Sequence, residues 1–241
     1  MRNTKKTTAI VLAGGRGARM NSDIPKQYME VCGYPIIYYS LKVFEESFVD
    51  EIVLVCGAGD EEYCKQNIVD KYDFAKVKKI VVGGKERYHS VLNGLSAIDE
   101  CDIVFIHDGA RPFVSKEILA RAFEEALIYG NAIVAVPSKD TVKLADREQF
   151  AESTPNRDSV WIVQTPQTFV FEKIYKAYCE LIDKENELHN KGVIITDDAM
   201  VMEQFGSDRI RLCAGDYKNI KVTTPEDIIV AKAYISNMST E

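Results

Sequence analysis

Three basic side chains gather around a glycine turn near the start of the chain. Ala13-Gly14-Gly15-Arg16-Gly17-Ala18-Arg19-Met20 is followed, seven residues beyond Arg19, by Lys26 in Pro25-Lys26-Gln27. Consecutive glycines after a strand present backbone N–H groups to phosphate, and two or three cations beside such a nest suit a triphosphate. Spacing rejects two familiar phosphate loops. A P-loop requires G-x-x-x-x-G-K-[ST], which the chain lacks. A dinucleotide fingerprint requires glycine or alanine where Met20 stands, and an acidic residue after the second strand, where the chain reads Cys56-Gly57. Taken alone, the turn also fits a surface loop bearing solvated charges.

A second constellation is His107-Asp108-Gly109-Ala110-Arg111, directly after the apolar run Cys101–Ile106. Asp108 and Arg111 are therefore expected at the carboxyl end of a strand, where open sheets hold ligands; a salt-bridged turn is the plainer alternative. Lys221, in Asn219-Ile220-Lys221-Val222, reads by itself as an ordinary lysine near a strand end. The six cysteines, at 32, 56, 64, 101, 179 and 213, form no C-x-x-C pair and have no histidine at zinc-ligand spacing. They read as reduced thiols of a cytoplasmic protein.

Alternating strands and helices must position these groups. Apolar runs at Thr8–Ala13, Glu51–Cys56, Lys79–Val82, Cys101–Ile106 and Asn131–Val136 read as buried strands. Between them, Ile37, Leu41 and Phe44, then Val91, Leu95 and Ile98, then Ile118, Ala122 and Leu127 recur at helical spacing. Five strands with helical crossovers predict an α/β fold, a Rossmann-like, doubly wound and mostly parallel sheet in a single domain spanning 1–241. From about 138 to 163 the pattern breaks into short β-like pieces, Thr141–Leu144 and Val160–Val163, around a polar middle, which predicts a protruding β-arm. A helix Phe171–Ile182, a short helix from about Asp198 and a strand Arg209–Cys213 follow. Thr224-Pro225-Glu226-Asp227 opens the last helix with a threonine cap and proline at its first position.

With 241 residues, 46% hydrophobic and 28% charged, the composition is that of a globular protein large enough to fold without staples. No stretch reaches the ~18 apolar residues of a membrane span. The net charge of −7 argues against a broad nucleic-acid footprint or an anionic membrane surface as partner. An anionic ligand must therefore meet a local basic cluster.

Leu12-Ala13-Gly14-Gly15-x-Gly17-x-Arg19-Met20 with Pro25-Lys26-Gln27 resembles the sugar-phosphate nucleotidyltransferases and, within them, the 2-C-methyl-D-erythritol 4-phosphate cytidylyltransferase family. The resemblance runs from about Thr8 to Ile235 in six ordered motifs. After the glycine turn come His107-Asp108-Gly109-Ala110-Arg111-Pro112, Thr141-Val142-Lys143, Trp161-x-x-Gln164-Thr165-Pro166-Gln167, Thr196-Asp197-Asp198-Ala199 and Asn219-Ile220-Lys221-Val222-Thr223. It implies attack of an acceptor phosphate oxygen on the α-phosphate of CTP, with pyrophosphate leaving. A phosphate monoester is largely dianionic at neutral pH, so no base is needed, and catalysis reduces to positioning and charge neutralisation.

The resemblance also implies roles. Arg19, Lys26 and Lys221 clamp the triphosphate, with Mg²⁺ carried mainly by the triphosphate itself. Ala13, Gly14, Gly15, Gly17, Gly84, Lys85, Ser90 and Asp108 hold the nucleotide. Asp108, Arg111, Thr141, Thr165 and Thr196 hold a polyol phosphate, joined by Arg157 from the arm of a second subunit in a homodimer. His107 is expected to be a structural hydrogen-bonder. Two positions depart from the common pattern: His89 precedes Ser90 where relatives commonly have an acidic residue, and Asn156 stands where many have aspartate. The rival readings are a ribitol-5-phosphate cytidylyltransferase, a uridylyl transfer to a sugar 1-phosphate and, in another class, a nucleotide-binding module without turnover.

Overall fold

In the computed structural model, residues 5–15 and 24–238 are described. Arg16, Gly17, Arg19 and Met20, all singled out above, lie outside the described residues. Seven strands form the central sheet: β1 (Thr7–Ala13), β2 (Glu51–Cys56), β3 (Val77–Val82), β4 (Ile103–Asp108), β5 (Asn131–Pro137), β6 (Trp161–Val170) and β7 (Leu212–Ala214). Their order across the sheet is β7-β5-β6-β4-β1-β2-β3. All neighbours run parallel except β6, which lies antiparallel between β4 and β5.

Burial on both faces explains why the first strands read as unbroken apolar runs. In β1, Ala9, Val11 and Ala13 point into one core with Phe44, Leu54 and Phe105, while Ile10 points into the other with Val55, Val91 and Ile106. Fully burying each large aliphatic side chain contributes roughly 1.5–3 kcal/mol. Helices α1 (Ile36–Glu45), α2 (Arg87–Ser96), α3 (Lys116–Tyr129), α4 (Phe171–Asp183), α5 (Asp198–Phe205) and α6 (Pro225–Met238) accompany the sheet. Helix α1 contributes Ile37, Leu41 and Phe44 to the first core, as their spacing predicts. In α3, Ser115 Oγ accepts the Ile118 N–H at 3.3 Å, and Gly130 ends the helix at φ +84°, a left-handed turn that favours glycine.

The chain passes from β1 out to β2 and β3, then returns to the other side of β1 to form β4. The order therefore reverses between β1 and β4, and the crevice outside their carboxyl ends is where such sheets bind ligands. Register makes the ends flush: Ala13 pairs with Cys56, Cys56 with Val82, and Leu12 with Asp108. Gly14, Gly57, Gly83 and Gly109 leave the sheet side by side.

Three elements differ from the sequence expectation. The strand expected to end at Val163 continues through Val170; its pairing with β5 shifts between Val163 and Gln167, which accommodates Pro166 at an irregularity instead of in a regular ladder. The strand expected over Arg209–Cys213 pairs only from Leu212. The β-like piece expected over Thr141–Leu144 is paired only at Leu144. Residues 219–222 lie along the loop after β4, Val222 N–H donating to Ala110 O at 2.8 Å. The arm holds a short exposed hairpin, Leu144–Ala145 against Ala151–Ser153. Among the described residues, no helix is long and apolar enough to cross a membrane. None of the six cysteines is paired.

Candidate active site

The turn after β1 is held by its neighbours. Gln27, buried in the short helical turn Lys26–Tyr28, donates through Nε2 to the carbonyl of Ala13. The loop after β3 is folded back by Ser90, whose Oγ accepts the Gly84 N–H at 3.0 Å and donates to Glu86 O at 3.2 Å. Glycine is required at 84, because a Cβ there would stand 2.2 Å from the Cβ of His89. Ser90 thus shapes this loop. His89 caps the next helix: Nδ1 accepts the Glu86 N–H at 3.3 Å, completing a capping box at the start of α2, and Nε2 lies 3.4 Å from Glu185.

Asp108 ends β4 with its carboxylate almost wholly buried. Lys221 Nζ lies 2.7 Å from Oδ2, Arg87 Nε 3.5 Å from Oδ1 and Arg111 Nε 3.9 Å from Oδ2. Burial pushes this carboxyl group up, but Arg87, Lys221 and Arg111 together outweigh it and hold it well below the usual carboxylate range. Arg111 spends its terminal nitrogens on backbone carbonyls, Asn219 O at 2.8 Å and Val163 O at 3.4 Å. Its Nε is buried and has no hydrogen-bond partner among the described residues.

Lys221 is fixed from behind. Asn219, fully buried, donates to Thr165 O at 2.9 Å and Gln164 Oε1 at 3.2 Å, which anchors the last segment to β6. Arg87, at the first position of α2, grips Asp198 with both terminal nitrogens at 2.7 and 2.8 Å. Burial works against its charge, but Asp198 and Asp108 raise its pKa well above the ordinary arginine value.

Two clefts meet here. One, of about 250 Å³, brings together Ala13, Gly14, Gly15, Lys26, Gly84, Lys85 and Ser90, all expected from sequence. The other, of about 310 Å³, is lined by Arg111, Thr165 and Thr196 with Gln167 and Asp197. Arg87, Asp108 and Lys221 line both. Thr141 and Arg157 line neither; they stand together on the arm, Arg157 Nη2 donating to Thr141 Oγ1 at 3.2 Å. Arg87 and its partner Asp198 stand in or beside family motifs, but the sequence assigns neither a place in the site. The usable signal was a cation in the first turn of a helix, where the dipole disfavours one.

His107 is fully buried and cannot serve as a base. The carbonyl of Arg111 only accepts, so the Nε2 3.2 Å from it carries the proton, leaving Nδ1 to accept from Thr165 Oγ1 at 3.0 Å. Thr165 Oγ1 in turn accepts the Asp108 N–H at 3.1 Å. Burial first, with smaller contributions from Arg111 and Lys221, pushes the His107 pKa down from 6.5 to about 4. The unfolded chain takes up this proton at higher pH than the folded one. Stability from His107 is therefore complete above pH ~6.5 and is lost as pH falls toward 4, by about 2 kcal/mol between pH 7.5 and 5. Urea unfolding at those two pH values checks this, and His107→Asn should flatten the dependence; an unchanged slope in the variant would refute it.

Fold and site together define the nucleotidyltransferase class of enzymes: a glycine turn at the switch point of a doubly wound sheet, facing a cationic cleft that opens onto a second one. Comparison with known proteins narrows this. Residues 7–237 match the family model for 2-C-methyl-D-erythritol 4-phosphate cytidylyltransferase, and the chain belongs to that family. A protein of that name from Caldanaerobacter subterraneus subsp. tengcongensis is 44% identical over 230 residues, 95% of this chain and 98% of its own. One from Lachnospira eligens is 47% identical over 229 residues, covering 95% and 98%. The crystal structure of 4-diphosphocytidyl-2C-methyl-D-erythritol synthase from Anaerococcus prevotii superposes with a TM-score of 0.83 at 36% identity, covering 96% of each chain.

Proposed function

We propose that this chain transfers the cytidylyl group of CTP to 2-C-methyl-D-erythritol 4-phosphate, releasing pyrophosphate and forming CDP-methylerythritol for isoprenoid-precursor synthesis in the cytoplasm. The observation that carries the reading is the meeting of the two clefts at Arg87, Asp108 and Lys221. CTP lies in the cleft of the glycine turn, its base against the Gly83–Lys85 loop and its phosphates toward Lys26 and Lys221. The acceptor lies in the other cleft, its phosphate near Arg111 and its hydroxyls toward Thr196 and Asp197. An oxygen of the acceptor phosphate forms a bond to the α-phosphorus, and the bond from that phosphorus to the bridging oxygen breaks, the electron pair leaving with pyrophosphate.

The protein supplies position and positive charge. Arg19, by family resemblance, Lys26 and Lys221 neutralise the charge that builds on the phosphoryl oxygens. Among the described residues, no three His, Cys, Asp or Glu side chains cluster to hold a metal. A single carboxylate at the junction, Asp108, fits Mg²⁺, which is commonly held by one or two carboxylates together with substrate phosphates. Bound there, the ion would neutralise triphosphate charge.

Pairing of Thr141 with Arg157 on the arm, clear of both clefts, supports a homodimer in which each arm reaches the partner's acceptor site. Arg157→Ala should then raise the acceptor KM by about 10–100-fold, the loss of a bidentate charge-assisted contact, with kcat for saturating substrate little changed. Mixed dimers of Arg157→Ala with Arg19→Ala should recover part of the activity, since one of their two sites is intact. Failure of verified mixed dimers to recover any would count against sharing.

Pyrophosphate release with CTP and Mg²⁺ tests the function, run in parallel with 2-C-methyl-D-erythritol 4-phosphate and ribitol 5-phosphate. Release with the first alone supports the proposal, and release with the second alone replaces it with the ribitol reading. CTP binding without release from either leaves a nucleotide-binding module. Replacing CTP by UTP excludes or supports uridylyl transfer.

A further inference from the structure

Arg87 and Asp198 are 111 positions apart in the chain, yet their side chains join the elements that bound the two clefts. Arg87 opens α2, directly after the loop that bounds the nucleotide cleft. Asp198 opens α5, directly after Thr196 and Asp197 in the acceptor cleft. The Asp198 carboxylate is fully buried and fully used: each oxygen accepts from one terminal nitrogen of Arg87, at 2.7 and 2.8 Å, and Oδ1 also accepts from Tyr178 on α4. The same guanidinium turns its Nε toward Asp108, 3.5 Å away. Gln167 of β6 locks the acceptor turn from the other side, donating to Asp197 Oδ2 at 3.0 Å and accepting from Ala199 N–H at 2.7 Å.

We propose that Arg87 is a positioning residue for the transfer reaction: by gripping Asp198 while facing Asp108, it sets the separation and angle between the nucleotide and acceptor half-sites. This rests on the cytidylyl-transfer reading. A guanidinium fork does this where an ammonium does not, because two parallel hydrogen bonds fix orientation as well as distance. A cation at the first turn of α2 also opposes that helix's dipole. Its presence there is explained by the partner it reaches and not by local helix preference. Misplacement of reacting groups by about 1 Å costs roughly 10²-fold in rate, whereas each substrate still finds its own pocket.

Arg87→Lys keeps the charge and loses the fork; Asp198→Asn keeps the shape and loses the charge. Both are to be assayed at a temperature where thermal melts show them folded, and should either fail to fold, the other carries the test. The expected result is a kcat lowered about 10–100-fold, with the dissociation constant for CTP, measured by calorimetry, within threefold of wild type. Folded variants with wild-type kcat would reduce the pair to a structural bond and overturn the proposal. Loss confined to CTP affinity would overturn it as well, making Arg87 a nucleotide ligand. Amide hydrogen exchange separates this inference from the activity it rests on. The Ala199 and Met200 amides should exchange at least tenfold faster in Arg87→Lys, whether or not the wild-type chain releases pyrophosphate; unchanged protection would overturn the proposal. If protection is lost while the wild-type chain is inactive, the assigned reaction fails and the coupling of the two clefts stands.

Discussion

Replacing Lys221 by alanine should lower kcat by about 10²–10³-fold while changing CTP affinity less than about fivefold. The asymmetry follows from what Lys221 does before and during the reaction. Its ammonium already faces the Asp108 carboxylate at 2.7 Å, so its charge is partly compensated before the triphosphate binds and adds little to CTP affinity. As the α-phosphorus changes partners, negative charge concentrates where the two clefts meet, and a cation held there stabilises the transition state more than the bound substrate. The lysine is held in place: Asn219 ties its segment to β6, and Val222 ties it to the loop after β4. Such preorganisation makes the charge effective, since no reorganisation is needed as charge develops. Lys26→Ala should show the same pattern from the glycine-turn side. Steady-state kinetics with isothermal titration of CTP measure both quantities; a loss of affinity equal to the loss of kcat/KM, with kcat unchanged, would refute the assignment.

The parts of the site legible in the sequence are those whose neighbours in space are also neighbours in sequence. Ala13-Gly14-Gly15 follows a strand that reads as buried on both faces, and Asp108 with Arg111 follows another. Once the sheet is doubly wound, the strand ends bring these turns together. Strand β6 was legible only to Val163, because Gln164, Thr165, Gln167 and Thr168 are buried polar residues and a pattern of polar side chains does not show its partners. Gln164 and Thr165 bond to Asn219, and Gln167 bonds to Asp197 and Ala199, all on segments more than 25 residues away. The Arg87–Asp198 pair is invisible for the same reason. Thr165 lines the acceptor cleft as its motif suggests, and its hydroxyl also bonds to His107 and to the Asp108 backbone. Thr141 was expected beside Thr165 and Thr196, and the fold carries it with Arg157 on the arm. A type of side chain can be read from a motif, but the partner that already occupies it cannot.

Asp108→Asn should lower kcat by about 10²-fold or more and yet leave metal-free CTP binding unchanged or tighter. A carboxylate facing a triphosphate repels it, so removing the charge cannot weaken the anion's attraction to Arg87, Arg111 and Lys221. The carboxylate has two other uses: it holds Lys221 in place, and among the described residues it offers the acidic oxygen pair that lines both clefts to a divalent cation. Turnover should therefore fall while CTP affinity in the presence of EDTA holds or rises, and the Mg²⁺ concentration for half-maximal rate should increase. The two substitutions should also be non-additive. Once Asp108 is neutral, Lys221 has lost the partner that fixes it, so Lys221→Ala on top should cost less than it does alone, with a coupling of about 1 kcal/mol or more in a double-mutant cycle. Additive losses would separate the two residues, with Lys221 positioned by the backbone alone and Asp108 acting elsewhere. Weaker metal-free CTP binding in Asp108→Asn would mean that the carboxylate organises the nucleotide cleft itself, and its placement between the clefts would then have to be read as architecture.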